Sequence, residues 1–287
     1  MLTFAPLFRG SLVRITDVVC RAASDSRCGA EEHASSHHLL FTRSGVFVKH
    51  AGGRQLVAEA AHVLFFNRDE PYRVSHPVPG GDDCTVVAFG ADTVADVLAA
   101  WDPSVADRPE SPFSVSHGPL AAPVLLRYHG LRRAVRAGPA VEALGVEETS
   151  LDVLHGAVAD AYRARGAHPQ RRHRPDTARA RRELAEATKL HLASCPSASP
   201  SLATLARAVS SSPFHLSRVF RHEVGMSIHK YLIRLRLALA LEWLADGTAD
   251  LSAVALGLGF ASHSHFTDAF RKAFGITPNA LRMEARA

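Results

Sequence analysis

Two stretches near the C-terminal end decide the reading of this chain: LATLARAVSSSPFHLSRVFRHEVG, Leu202 to Gly225, and LSAVALGLGFASHSHFTDAFRKAFG, Leu251 to Gly275. Matched from the right, Ser212 pairs with Ser262, His215 with His265, Phe220 with Phe270, Arg221 with Arg271 and Gly225 with Gly275. Matched from the left, Leu202 pairs with Leu251 and Ala206 with Ala255, so the second copy carries one extra residue in its middle.

Each copy reads as a helix, a tight turn and a second helix. Leu202, Leu205, Ala206 and Val209 recur at the three- and four-residue spacing of an amphipathic helix. Ala206 and Ala255 are small where the two helices must approach. Ser210 and Gly259 fall in the turn, where glycine accepts a positive φ. Ser212 and Ser262 stand as N-caps of the second helices, and Pro213 follows as an N1 proline that loses no hydrogen bond. The pattern predicts buried faces of Leu216, Val219 and Phe220 in one copy and Phe266, Ala269 and Phe270 in the other. It leaves His215, Ser217, Arg218 and Arg221, and His263, Ser264, Thr267, Asp268 and Arg271, on the opposite faces. Such side chains contact base edges and phosphates. Between the copies, Ile228 to Leu244 has no helix breaker. A helix of that size is roughly 27 Å long, comparable with the roughly 34 Å between successive major grooves on one side of a duplex. Two neighbouring stretches of duplex DNA are the expected partner, with a helical bundle bearing solvated polar faces as the alternative.

The words SPFHLSRVFRHEVGMSIHKYLIRLRLALALEWLADG and GFASHSHFTDAFRKAFGITPNALR resemble the AraC/XylS family of transcription regulators, over roughly Arg179 to Arg282. The resemblance implies promoter binding through two helix-turn-helix motifs and an N-terminal domain that senses a signal or pairs subunits. Carried over by position, it implies base readers at Phe214, Ser217 and Arg218, and at His263, Ser264, His265 and Thr267. With the caps and flanking cations, the expected DNA-binding set is Ser212, Phe214, His215, Ser217, Arg218, Arg221, Ser262, His263, Ser264, His265, Thr267 and Arg271. Asp268 stands where many members have a basic residue, and Leu281 replaces a common tyrosine in the closing TPNALR. The implied partners are double-stranded promoter DNA, RNA polymerase for an activator, a small-molecule effector and a second copy of the chain.

Charge divides the chain in the same way. Residues 1–160 hold 14 Lys and Arg against 19 Asp and Glu, whereas residues 161–287 hold 19 against 9, so the net charge of +5 comes from the C-terminal part. A basic module joined to an acidic one fits nucleic-acid contact by one half only. At 287 residues the chain is large enough for two cores. We expect an α+β multi-domain protein: a β-rich, cupin-like domain with C-terminal helices over 1–165, a basic linker over 166–176, and an all-α DNA-binding domain over 177–287. Within the linker, Arg171, Arg172 and Arg174 are solvated charge or backbone-phosphate contacts. No run approaches the roughly 18 apolar residues of a membrane span. The opening MLTFAPLFRGSLVRITDVVC lacks the order of a signal peptide, so a cytoplasmic protein is expected.

In the N-terminal half, SLVRITDVVC, HLLFTRSGVFVKHAG, RQLVAEAAHVLFFNRD, PYRVSH and CTVVAFGA read as short strands between Gly, Pro and Asp turns, the pattern of a sandwich or barrel. The family resemblance implies a small cupin-like barrel. Three helical runs follow. In the middle one, Leu120, Val124, Leu125, Leu131 and Val135 form an apolar stripe that covers the barrel or pairs subunits.

Metal-dependent cupin chemistry is not expected, because the H-x-H pair His263–His265 lies in a recognition helix and adjacent His37 and His38 point to opposite faces of a strand. No C-x2-C pair marks structural zinc. Cys20 nevertheless ends a strand, and His76 and Cys84 flank the turn HPVPGGDDC. Cys20, His76 and Cys84, with Cys28 or His33 as a fourth donor, are therefore the candidates for a zinc or thiol-sensing site, against ordinary reduced cysteines. A DNA alkyl-repair enzyme bearing this helix-turn-helix module is the remaining alternative. It is disfavoured because Cys195 precedes a proline where the nucleophile phrase needs one before it. No catalytic residues are expected.

Overall fold

The computed structural model describes residues 2–22, 28–138, 142–167, 175–245, 247–248 and 250–286. The chain divides into two compact units, Met1–Arg163 and Ala164–Ala287. Most of the expected linker, including Arg171, Arg172 and Arg174, lies outside the described residues.

Among the described residues the first unit contains ten strands: β1 (Leu2–Arg9), β2 (Val13–Cys20), β3 (Glu32–His33), β4 (His37–Gly45), β5 (Phe47–Ala51), β6 (Arg54–Ala58), β7 (His62–Phe66), β8 (Pro71–Ser75), β9 (Asp82–Phe89) and β10 (His117–Pro119). They form a six-stranded sheet in the order β1-β2-β9-β4-β7-β10 and a four-stranded sheet in the order β3-β8-β5-β6. The expected barrel is not closed. Each sheet ends on one very short edge strand, β10 of three residues in the first and β3 of two residues in the second. Strands that short present few backbone groups to bridge one sheet to the other. β1 is a strand that the alternation of polar and apolar residues does not reveal: it is an edge, exposed at Leu2 and Phe4, and its register shifts between Pro6 and Phe8. Proline is tolerated there because an edge strand and a bulge leave its missing N–H without a ladder partner to lose.

Three helices complete this unit: α1 (Ala91–Ala99), α2 (Ala122–Arg136) and α3 (Ala143–Ala167), the last running past the unit boundary. The stripe of Leu120, Val124, Leu125, Leu131 and Val135 is buried within the unit. Tyr128 of α2 stacks on Phe41 of β4 at 4.1 Å, and Gly156 of α3 leaves room for Val124. Covering the sheet is thus the role of the stripe. A buried ion cluster pins the same helix: Arg132 donates to Asp17 at 2.9 and 3.3 Å, and Thr85 donates to Asp17 at 2.6 Å. Burial on its own would raise the Asp17 carboxyl. The hydrogen bonds from Arg132 and Thr85 and the charge of Arg43 outweigh it and hold the group below its ordinary value.

The second unit is helical: α4 (Pro175–Ser194), α5 (Leu202–Ala208), α6 (Pro213–Val224), α7 (Ile228–Leu244), α8 (Leu251–Gly257), α9 (His263–Phe274) and α10 (Pro278–Arg286). α4 packs against α5 and α6, while α7 packs against α6, α9 and α10. Phe220 meets Tyr231 edge-on at 5.4 Å, and Phe260, Phe266, Phe270 and Phe274 form a continuous aromatic ladder. Arg236 of α7 is 3% exposed. Its guanidinium donates to the carbonyls of Pro196 at 2.7 Å, Gly259 at 2.8 Å and Ala198 at 2.9 Å, and to Ser199 Oγ at 3.0 Å. No described helix is long and apolar enough to cross a membrane.

Removing the guanidinium leaves the carbonyls it satisfies without a donor, and an unsatisfied buried polar group costs about 1–3 kcal/mol. Arg236→Met is therefore expected to lower the stability of the second unit by about 3 kcal/mol, read from its urea unfolding midpoint by circular dichroism. For Asp17 the folded-state pKa is depressed, so its contribution is complete above the unfolded carboxylate pKa and is lost as pH falls through the lowered folded value. Asp17→Asn is expected to flatten the acid limb of stability against pH for the first unit and to lower its stability near neutrality.

Candidate nucleic-acid interface

The two short motifs form for local reasons that the residues make visible. Ser212 Oγ accepts the His215 N–H at 3.3 Å and Ser262 Oγ accepts the His265 N–H at 3.1 Å, so both α6 and α9 begin on side-chain caps. Both end on a left-handed glycine, Gly225 (φ 80°) and Gly275 (φ 78°). The turns before them also need positive φ. Gly259 has φ 79°, and a Cβ there would run into the Ser197 carbonyl, so only glycine fits. Ser210 takes φ 51° in the first copy as a non-glycine residue, which is uncommon.

Leu216, Val219 and Phe220 are buried in α6, and Phe266 and Phe270 in α9, whereas Ala269 is only half-buried. On the outer side of α6, Phe214, His215, Ser217, Arg218 and Arg221 are exposed. Phe214 is 77% exposed and lies under the Arg218 guanidinium at 5.9 Å. On α9, His263, Ser264, His265 and Arg271 are exposed, as is Asp268. His265 packs edge-on to Phe260 at 5.4 Å, which orients its ring.

Thr267 differs from the expected pattern. It is half-buried, and its hydroxyl is buried without a hydrogen-bond partner among the described residues. The helix turns that position inward because Phe266 and Phe270 together set the packed face. The outer side of α6 therefore presents four potential donors around an exposed aromatic, while α9 presents two histidines, a serine, an arginine and one carboxylate.

The first unit holds a second candidate site. A cavity of about 600 Å³ lies between its two sheets, walled largely by apolar side chains such as Val18, Leu40, Phe47 and Phe66. Its polar groups include Arg14, His38, His76 and Asp82. His38 stacks on Phe66 at 4.6 Å, its Nδ1 donates to the Ser36 carbonyl, and burial pushes its pKa down to about 4, so the ring is neutral near pH 7. Adjacent His37 points elsewhere and accepts the Arg68 N–H at 3.1 Å.

Of the metal candidates, Cys20 and His76 come together, and the third member of their group is Asp82. Cys84 is fully buried, with its Sγ 3.1 Å from Asp82 Oδ2. Cys28 and His33 are exposed and do not join the group, His33 bonding instead to the Asp69 carbonyl. Asp82 is not among the residues that the sequence reading offers as donors. The signal for it was the register: a residue just after the GG turn pairs with the strand end at Cys20.

A helix-turn-helix domain family matches residues 205–284. The chain is 37% identical over 70 residues to the transcriptional activator RhaS of Pectobacterium carotovorum, a match covering 24% of this chain and 25% of that protein. The chain spans between about a tenth and a quarter of the length of the curated relatives it matches first. Among solved structures it is similar to a regulator from Chromobacterium violaceum with an AraC-type DNA-binding domain, at 30% identity, covering 38% of this chain and 96% of that one, with a TM-score of 0.34. It is also similar to apo ToxT from Vibrio cholerae at 11% identity, covering 96% of this chain and 98% of that one, with a TM-score of 0.40.

Thr267→Val keeps the side chain's shape and removes a hydroxyl that has no partner. Stability of the second unit is expected to be unchanged or higher by up to about 1 kcal/mol in urea unfolding. A loss of more than that would show that the hydroxyl is hydrogen-bonded.

Proposed function

We propose that this chain, whose C-terminal unit carries a helix-turn-helix domain of the AraC/XylS type, is a sequence-specific transcription regulator that binds promoter DNA through two successive major grooves. The observation that carries the reading is the pair of Ser-capped, glycine-terminated helices α6 and α9 with polar outer faces, joined by one 17-residue helix. That connector is roughly 26 Å long at 1.5 Å per residue, a length suited to placing two recognition helices along one side of a duplex. The relative RhaS is a transcriptional activator, which supports a regulator over a repair activity.

In this reading Arg218, Ser217 and Phe214 read bases from α6, and His263, Ser264 and His265 read them from α9. His215, Arg221 and Arg271 contact the backbone, while Ser212 and Ser262 hold the helix starts that approach it. The side-chain hydroxyl of Thr267 is not available for readout. Asp268 faces the DNA side as a carboxylate, which repels phosphate and selects against backbone contact there.

The cavity between the sheets is the seat of a small-molecule effector. Its size and its apolar walls with a few polar groups match a ligand site. Arg14 lines it and forms no ion pair with a described residue, so an apolar molecule carrying an acidic group is the class that fits. RNA polymerase is the partner of an activator, and a homodimer would form through a surface other than the stripe on α2.

In vitro selection from a random duplex pool tests the DNA reading: a bipartite consensus is expected, and no enrichment would overturn it. Against the selected site, Arg218→Ala is expected to weaken binding by about 1–3 kcal/mol and to relax selectivity at one base position. Equal affinity and preference would remove α6 as a reader. An effector that binds the folded chain at a hundred times its Kd adds about 2.7 kcal/mol of stability, which a thermal-shift screen of apolar carboxylic acids detects.

A further inference from the structure

We propose that Cys20, His76 and Asp82, with Cys84 as the fourth donor, form a binding site for a divalent transition metal, zinc foremost, that bridges the two sheets of the N-terminal unit. Cys20 ends β2 and stands directly opposite Asp82, the first residue of β9. Side chains of directly opposed residues share a face at about 4.5–5.5 Å between their Cβ atoms. His76 arrives from the other sheet, immediately after β8. One donor atom from each of the three lies within 4.8 Å of the others. In a tetrahedral zinc site with bonds of about 2.0–2.3 Å, ligand atoms are roughly 3.3–3.8 Å apart, so a contraction of about 1 Å, within reach of side-chain rotation, brings these three to ligand spacing. Cys84 lies outside that group, with its Sγ 3.1 Å from Asp82 Oδ2, and turns toward the other two donors to serve as the fourth.

The surroundings of Asp82 point the same way. The carboxylate is 6% exposed. Its side-chain partners are His76 Nε2 at 2.8 Å and Cys84 Sγ at 3.1 Å, both metal-donor atoms. Neighbouring cations are engaged elsewhere: Arg21 pairs with Asp83 at 2.7 Å, and Arg43 reaches Asp17 and the Cys84 carbonyl. Gly81, at φ 78°, packs so closely on the Cys20 carbonyl that a Cβ would overlap it, and this holds the start of β9 against the end of β2. A set of thiol, imidazole and carboxylate selects a borderline metal over calcium or magnesium, which take oxygen ligands only. Binding releases the thiol protons to solvent as the sulfurs become metal-bound thiolates, and it ties β2 and β9 to the end of β8. The inference concerns the first unit alone and holds whether or not the second unit binds DNA.

The test uses the full-length chain, stripped with a chelator and titrated with Co2+ under reducing conditions. One equivalent is expected to produce a thiolate-to-cobalt charge-transfer band that Zn2+ abolishes, with proton release and a higher thermal midpoint for the zinc-loaded chain. Cys20→Ser and His76→Gln, each checked for folding by far-ultraviolet circular dichroism without metal, are expected to lose the band or to weaken binding at least about tenfold. Cys195→Ser, in the other unit, keeps it. No band at one equivalent, a band that survives both substitutions at full affinity, or its loss in Cys195→Ser overturns the proposal and leaves the cluster as an imidazole–carboxylate pair flanked by thiols.

Discussion

The guanidinium of Arg236 holds the C-terminal unit in register. It sits in the middle of α7 and satisfies carbonyls from two places distant in sequence, the 196–199 loop before the first motif and Gly259 in the turn of the second. An arginine suits this position because its planar fork offers five donors in fixed directions. The same turn requires glycine, since Gly259 packs against the Ser197 carbonyl. A single buried cation therefore couples the first motif's approach segment to the second motif's turn. α7 and this contact hold α6 and α9 in one unit.

In the N-terminal unit the corresponding constraint is the register of β2 on β9. It places Asp17 opposite Thr85, where both meet Arg132 from α2, and at the far end of the same ladder it places Cys20 opposite Asp82. The middle of the strand pair is thus tied to the covering helix and one end of it to the rim of the cavity. The cavity lies between the two sheets, which are not closed into a barrel. Their facing side chains, Phe47 and Phe66 among them, pack into a core that leaves space beside it.

Much of the helical unit was legible in advance because its determinants are local. Ser212 and Ser262 cap, Pro213 starts, and Gly225 and Gly275 end helices through contacts within a few residues. The apolar spacing of α7 needed no knowledge of its neighbours. Ala269 and Thr267 were less legible, because how far each turns toward the core depends on where α7 and the phenylalanine ladder lie. Strands rich in β-branched and aromatic residues between Gly, Pro and Asp turns were readable, whereas β1, β3 and β10 were not. An exposed edge carries little alternation, and strands of two or three residues carry almost none.

The amino-acid sequence on its own determined that there are two helix-turn-helix motifs, which residues cap and close them, and that the basic charge gathers in their half of the chain. Those features depend on dihedral preferences, short-range hydrogen bonds and composition. Only the tertiary structure decided that the sheets stay open, that the stripe on α2 is consumed by covering β4, and that Asp82 rather than Cys28 or His33 joins Cys20 and His76. Each of these depends on pairing between segments tens of residues apart, and strand register, which sets which side chains share a face, is settled by the packing of the whole sheet.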